Sequence, residues 1–380
     1  MTKHRTKSAV FCRVGLPALI VMLAASPWNV RAQQPSSTYP TVLDDVEAAF
    51  SRIETRGAHV TADAAGLIPK PQYRTTFNNF LFGLRNHFQG IQRLAQPGYL
   101  AISGSNRNGS DLFIVRLAKD DPQALGSAGE VVARVKLDDA LGHAGGLSML
   151  GSILAVPMHG GTPRVAKVVF YDLAEPESPR RLPVEIARPG RKASATALTR
   201  LQNGHYLVAV LSAFDGLPLR LDFYLSRSTV LDEGFLPEPV GWRVSGVAAV
   251  HGQDRTFNHF QSISFIRQAD GRLYLVGFHN PVGPQAILPG RDYADLYEVV
   301  FPRATTADDD PVLEMPTVIK VANRMFRCTD GFCSLDAAAG LFVDPVTKAM
   351  SVYAAPGWLD GDTVKVTVYP SGAGKPLDVQ

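Results

Sequence analysis

Histidine is sparse in this chain, and its placement follows a pattern. Nine histidines occur in 380 residues. Five of the eight beyond position 32 take corresponding places in recurring segments: His87, His143 and His259 open them, and His159 and His279 close the apolar run that comes next. A neutral imidazole ligates zinc, iron, nickel or copper, and it titrates near neutrality. His87, His143 and His259 from separate segments could therefore hold a divalent transition metal with a coordination position left open, as catalytic sites do. Without a metal the same groups would line a polar funnel for a small ligand or a protein partner. Ser194 stands where one segment lacks its histidine, and Gln89 and Gln261 follow theirs by two residues. A third reading is structural: each imidazole ties neighbouring segments together by bonding a backbone carbonyl.

Carboxylates offer a different chemistry. Asp215 follows the apolar run of the third segment, Asp336 precedes the fifth, and Trp358 lies where the last one ends. Two carboxyl groups at a defined separation cleave glycosidic bonds, one as acid and the other as base or nucleophile, and an indole stacks on a sugar ring. Other motifs fail. Ser371-Gly-Ala-Gly-Lys375 imitates a phosphate loop, but Tyr369 stands where its first glycine is needed and Pro376 follows the lysine. No Gly-x-Ser-x-Gly elbow occurs. Asn108-Gly-Ser reads as a turn, and Asp308-Asp309-Asp310 as a solvated loop tip rather than a calcium site.

The elements that must position these residues are repeats. Five segments share one plan, a small-residue-rich strand, a turn and a strongly apolar strand. They begin at His87-Phe-Gln-Gly, His143-Ala-Gly-Gly, Ser194-Ala-Thr-Ala, His259-Phe-Gln-Ser and, in degenerate form, Ala337-Ala-Ala-Gly. Each of the first four continues with two more strand-like runs: 111–117 and 130–137, 165–173 and 181–186, 219–225 and 240–250, 294–301 and 312–321. Four strands per repeat with turn residues between them, such as Asn203-Gly204 and Asp270-Gly271, predict an all-β fold, a β-propeller of five four-stranded blades. The fifth unit has only three strands (341–343, 350–353 and 364–369), so the ring needs one from the other end of the chain, within 56–84. In such a ring the starts of the inner strands and the ends of the second strands share one face, which gathers all the residues named above.

Ahead of the repeats, Thr41 to Ile53 reads as a short amphipathic helix with a capping box at Thr41 and Asp44 and apolar residues at Val42, Val46, Phe50 and Ile53. The chain opens with Lys3, Arg5, Lys7 and Arg13 and no acid, continues with an apolar run from Val14 to Ala25, and reaches Val30-Arg31-Ala32. That order is a secretory signal peptide, too short and too broken by Pro17 and Pro27 for a stable membrane span. The expected organisation is 1–32 signal, 33–55 extension and helix, and 56–380 one propeller domain, periplasmic or secreted. Cleavage removes five of the 38 basic residues and none of the 35 acidic ones, leaving a net charge of −2 and no case for a nucleic-acid partner. Cys328 and Cys333 bracket the turn dipeptide Asp330-Gly331, a geometry and a compartment that favour a disulfide.

Val168-Val-Phe-Tyr-Asp172-Leu-Ala-Glu-Pro176-Glu-Ser-Pro179 resembles the strand-then-Asp-x-x-x-Pro-x-x-Pro signature of LVIVD-type repeats in exported bacterial propellers. The resemblance is clear over one repeat; it implies a propeller and no particular reaction. Two functions follow from the residues: a binding propeller with a His-rich funnel, or an extracytoplasmic hydrolase or lyase, metal-assisted or carboxylate-based, acting on a carbohydrate, lactone or ester.

Overall fold

The computed structural model describes residues 41–63, 87–106, 109–117, 128–160, 165–212, 219–243, 247–249, 256–280, 291–302, 313–327, 334–356 and 363–371. Apart from one α-helix and one short 3-10 turn, the regular structure among them is β. Each repeat becomes a meander whose consecutive strands pair antiparallel. The first holds His87–Arg93, Tyr99–Asn106, Gly109–Arg116 and Ala128–Asp138. In the second, His143–Ala144 and Ser148–Leu150 both pair with Ile153–His159, and Val165–Asp172 and Arg180–Pro189 follow. The third is Ala195–Arg200, Tyr206–Ser212, Arg220–Leu225 and Val240–Arg243. The fourth is Ser262–Gln268, Leu273–His279, Arg291–Val300 and Thr317–Arg327. The last is Ala338–Val343, Met350–Ala355 and Thr363–Tyr369, completed by Ala58–Asp63, which pairs antiparallel with Thr363–Tyr369. That strand comes from the stretch where the sequence requires a closing strand.

Packing joins these sheets in a cycle. The second strands are apolar on both faces because both faces are covered. Leu207, Ala209 and Leu211 enter a cluster shared with the fourth unit, and the intervening Tyr206, Val208 and Val210 enter one shared with the second. Equivalent clusters lie between units one and two and between units four and five. A further cluster packs Phe88, Ile102 and Phe113 of the first unit against Phe342, Tyr353 and Val366 of the last. The two chain-terminal units also meet through their backbones, Ala339 beside Gly90 and Thr61–Asp63 beside Ala128–Glu130, both parallel. The fold is a β-propeller.

Around its axis the inner strands touch backbone to backbone. A methyl group on Gly145 would lie 1.9 Å from the Ser194 carbonyl oxygen, on Gly146 2.4 Å from that of Gln261, and on Gly340 1.7 Å from that of Ile91. Gly146 donates its N–H to the Ser194 carbonyl, and its own carbonyl accepts from Thr196. Only glycine permits this approach.

Three sequence expectations change. The helix is Val46–Ser51, capped by the Asp45 carboxylate on the Ala48 N–H, whereas Val42–Leu43 is a short strand pairing parallel with Arg267–Gln268. The helical periodicity still marks the buried side, since Val46, Phe50 and Ile53 pack on the fourth and fifth units. Residues 240–250 are not one strand: Val240–Arg243 completes the third unit, and Val247–Ala249 covers the outer edge of the fourth, pairing parallel with Val318–Lys320. Third, His259 does not occupy the slot of His87 and His143. Gln89 forms a bulge, so His87 sits opposite Ser105 and Gly90 opposite Ser103. His143 faces His159, but in the fourth unit it is Gln261, donating its N–H to the Phe278 carbonyl, that takes this place. No helix among the described residues is long and apolar enough to cross a membrane. The signal segment 1–32, Cys328 and Cys333 lie outside the described residues.

The axial contacts set a stability test. Gly146→Ala should cost about 3 kcal/mol, the upper end of overpacking penalties, read from the urea midpoint. Gly160→Ala, whose new methyl would meet nothing nearer than a Leu141 side-chain carbon at 3.2 Å, should change the midpoint little. Equal effects would contradict the packed axis.

Candidate functional site

Two polar clusters form where the inner strands begin and the second strands end. The first is imidazole-rich. The His87 and His143 rings lie 5.7 Å apart between centroids, and His143 and His159 4.3 Å apart. His159 reaches the third unit through Nδ1, 3.0 Å from the Ala193 carbonyl oxygen. Burial, followed by the charges His159, His87 and Lys192 would place nearby, holds His143 well below the ordinary imidazole value, so it is neutral at neutral pH. His159 thus makes a blade-to-blade tie as well as lining the rim. Ser194 lies in the same layer, with its N–H bonded to the Leu211 carbonyl.

Gln89 and Gln261 meet side chain to side chain, the Gln261 amide donating to Gln89 Oε1. They belong to the first and fourth units, so the contact spans the axis. His259, two residues before Gln261, is exposed. Among the described residues no group of three or more His, Cys, Asp or Glu side chains is arranged to hold a metal ion. Asp215 and Trp358 lie outside the described residues.

The second cluster gathers around His279. Its Nδ1 donates to the Asn280 carbonyl at 2.7 Å, its ring stacks on Tyr293, and Nε2 lies 3.3 Å from Asp295 Oδ2. Asp295 is fully buried yet satisfied by Asn258, Asn323, Tyr297 and the Lys320 ammonium at 3.2 Å. Burial would raise its carboxyl, but His279, Lys320 and Asn323 outweigh that and bring it down to about 2. Two further carboxyls behave oppositely. Asp292 on the third strand of the same unit accepts the Leu335 N–H at 2.7 Å, and burial raises it to about 6 against the pull of that bond and of His279. Asp336, half-buried in the turn that opens the fifth unit, is pushed up to about 7, first by burial and then by the Asp292 charge. At neutral pH, then, Asp295 and Asp292 are ionised while Asp336 is poised between its two forms.

Asp336 was legible from its slot in the repeat; Asp292 and Asp295 were not singled out. A signal existed for Asp295, because the third strands carry Asp111-Leu-Phe, Asp222-Phe-Tyr and Asp295-Leu-Tyr. Each of these aspartates is fully buried against a cation: Asp111 on Arg134, Asp222 on Arg188 at 2.8 Å, and Asp295 on Lys320. A buried carboxylate is tolerated only with such pairing. Nothing in the local sequence marks Asp292, whose character comes from the strand and turn that enclose it.

No family model matches the chain, so the LVIVD-type resemblance rests on the residues of its one repeat. No curated protein matches it either. Among solved structures it is similar to the GH43_1 enzyme from Xanthomonas citri complexed with xylotriose, at 10% identity over 75% of this chain and 87% of that one, with a TM-score of 0.44. It is also similar to the catalytic domain of Coprinopsis cinerea GH62 alpha-L-arabinofuranosidase, at 13% identity over 83% and 99% of the two chains with a TM-score of 0.39. Penicillium chrysogenum alpha-L-arabinanase complexed with arabinobiose follows at 10% identity, 83% and 97% coverage and a TM-score of 0.35. Likenesses this distant decide nothing about this chain; the propeller rests on its own strand pairing.

The raised carboxyls store instability that pH should reveal. A carboxyl with a folded pKa above its unfolded value of about 3.9 favours the fold at low pH and loses that contribution as pH rises through the folded value. The Asp292 and Asp336 contributions should therefore fall from about pH 4 up to about 6 and about 7, respectively. Asp336→Asn should remove the upper part of that decline and raise the melting temperature at pH 8 relative to wild type. A parallel decline in wild type and variant would refute the assignment.

Proposed function

We propose that this chain is an exported, five-bladed propeller hydrolase that cleaves glycosidic or ester bonds by carboxylate acid–base chemistry at the funnel face. The observation that carries this reading is the Asp292–Asp336 pair. Asp292 ionises first, and its negative charge then keeps the proton on the more accessible Asp336 up to about pH 7. A carboxylic acid that stays protonated near neutrality can give its proton to a departing alkoxide oxygen, and environments that push neighbouring carboxyls apart assign the acid and base roles. Asp336 is the acid in this scheme and Asp292 the positioning charge. Asp295 is not the second catalytic carboxylate, because it has no exposed surface and its oxygens are taken up by Asn258, Asn323, Tyr297 and Lys320. That role is assigned to Asp215 from sequence alone, because it follows the apolar run of the third segment. The signal peptide expected over 1–32 suits an enzyme working on extracytoplasmic material.

A binding funnel without catalysis is the second reading, favoured by the cluster of His87, His143 and His159 with its neutral central imidazole. A panel of aryl glycosides and aryl esters assayed with the mature protein separates the two. The hydrolase reading expects turnover of at least one member, a rate that falls above about pH 7 as Asp336 loses its proton, and a loss of at least about 100-fold in Asp336→Asn, the usual contribution of a general acid. Absence of turnover across the panel, or a variant as active as wild type, would leave the binding reading.

A further inference from the structure

The axis has a second mouth. The imidazoles and carboxyls sit where the inner strands begin, and the glycine contacts close the axis beyond them. At the other ends of the same strands lies a cavity of about 180 Å³, lined by residues of all five units: Arg93, Ser148, Thr199, Ser264 and Phe342 represent them in chain order. Its size suits a small molecule, since the space equals that of roughly six liquid waters.

Its chemistry is one-sided. Arg93 is the only charged residue in the lining, and no acidic side chain joins it among the described residues. The guanidinium rests on the Phe342 ring, 4.4 Å from its centroid, and Nη1 donates to the Tyr353 hydroxyl at a long 3.4 Å. Asp344 is a carboxylate whose ionisation the Arg93 charge favours, and its Oδ1 is engaged by the Val346 and Thr347 N–H groups. The fork of donors on Arg93 therefore retains capacity for an anion. Hydroxyls stand around it. Ser264 is 6% exposed and its Oγ has no hydrogen-bond partner, an arrangement that costs free energy unless a ligand or water completes it. Thr199 is 1% exposed, and Ser148 Oγ accepts the Leu198 N–H and keeps its own proton to donate. Phe265 and Ile266 supply an apolar wall.

The geometry points to a binding site at this mouth for a small hydroxylated carboxylate, its carboxylate on Arg93 and a hydroxyl on Ser264. The site is separate from the funnel and does not depend on the hydrolase reading. Titration calorimetry on the mature protein with D-glycerate, D-gluconate and D-glucuronate, and with glycerol and D-glucose as neutral counterparts, tests it. At least one acid should bind saturably and its neutral counterpart at least about tenfold more weakly, the difference one charge-assisted hydrogen bond makes. Arg93→Gln should weaken the acid about tenfold or more, and Ser264→Val, which fills the cavity and removes the hydroxyl, should weaken it as well. Asp336→Asn should leave the affinity unchanged. If Arg93→Gln does not fold, Ser264→Val carries the decision alone. No saturable binding of any acid, equal binding of the neutral compounds, indifference to the cavity variants, or loss in Asp336→Asn would each overturn the assignment.

Discussion

The close approach of the inner strands along the axis is the contact on which the other features depend. Gly145, Gly146 and Gly340 let backbone meet backbone where any side chain would drive the units apart. With the strands that close, hydrogen bonds pass directly between units, as from Gly146 to Ser194 and from Thr196 to Gly146. The same layer divides the axis. Imidazoles and carboxyls are held on one side of it and the Arg93 cavity on the other, so each set of polar groups is desolvated without being exposed to the other.

Desolvation then sorts the carboxyls. Three aspartates on third strands sit with no exposed surface, and each is matched by a cation from a neighbouring strand or unit. The pairing makes their burial tolerable and locks strand to strand, although an ion pair of this kind is weak evidence of net stabilisation. Among the described residues Asp292 and Asp336 have no such cation. The Leu335 N–H on Asp292 and the charge of His279 on both fall short of the cost of burial, and both carboxyls rise. A protein built for stability alone would pair or replace them, and the proposed acid–base role rests on their retention.

Repetition made much of this readable beforehand. The small-residue strand followed by an apolar strand recurs in His87–Leu94, His143–Leu150 and Ser194–Leu201, and the sheets are built on those segments. The need to pair the edge of a three-stranded last unit located Ala58–Asp63 within a short window. Sequence alignment failed where the backbone departs from regularity. His87-Phe-Gln and His259-Phe-Gln look equivalent, but the bulge at Gln89 moves one strand by a residue, and Gln261 rather than His259 faces the axis. Asp292 was invisible because its environment is made by Leu335, a residue 43 positions away. The cavity around Arg93 was invisible for the same reason, since each unit contributes only one or two of its walls.

Asp336 keeps its proton to neutrality because burial and the Asp292 charge both oppose ionisation. Carbon-13 carboxyl NMR titration of the mature protein measures this directly, residue by residue. Asp336 should titrate near pH 7 and Asp292 near pH 6, Asp295 should stay ionised throughout, and Asp292→Asn should move the Asp336 midpoint down. An Asp336 midpoint near the ordinary value of about 3.9, or one that ignores the Asp292→Asn substitution, would contradict it.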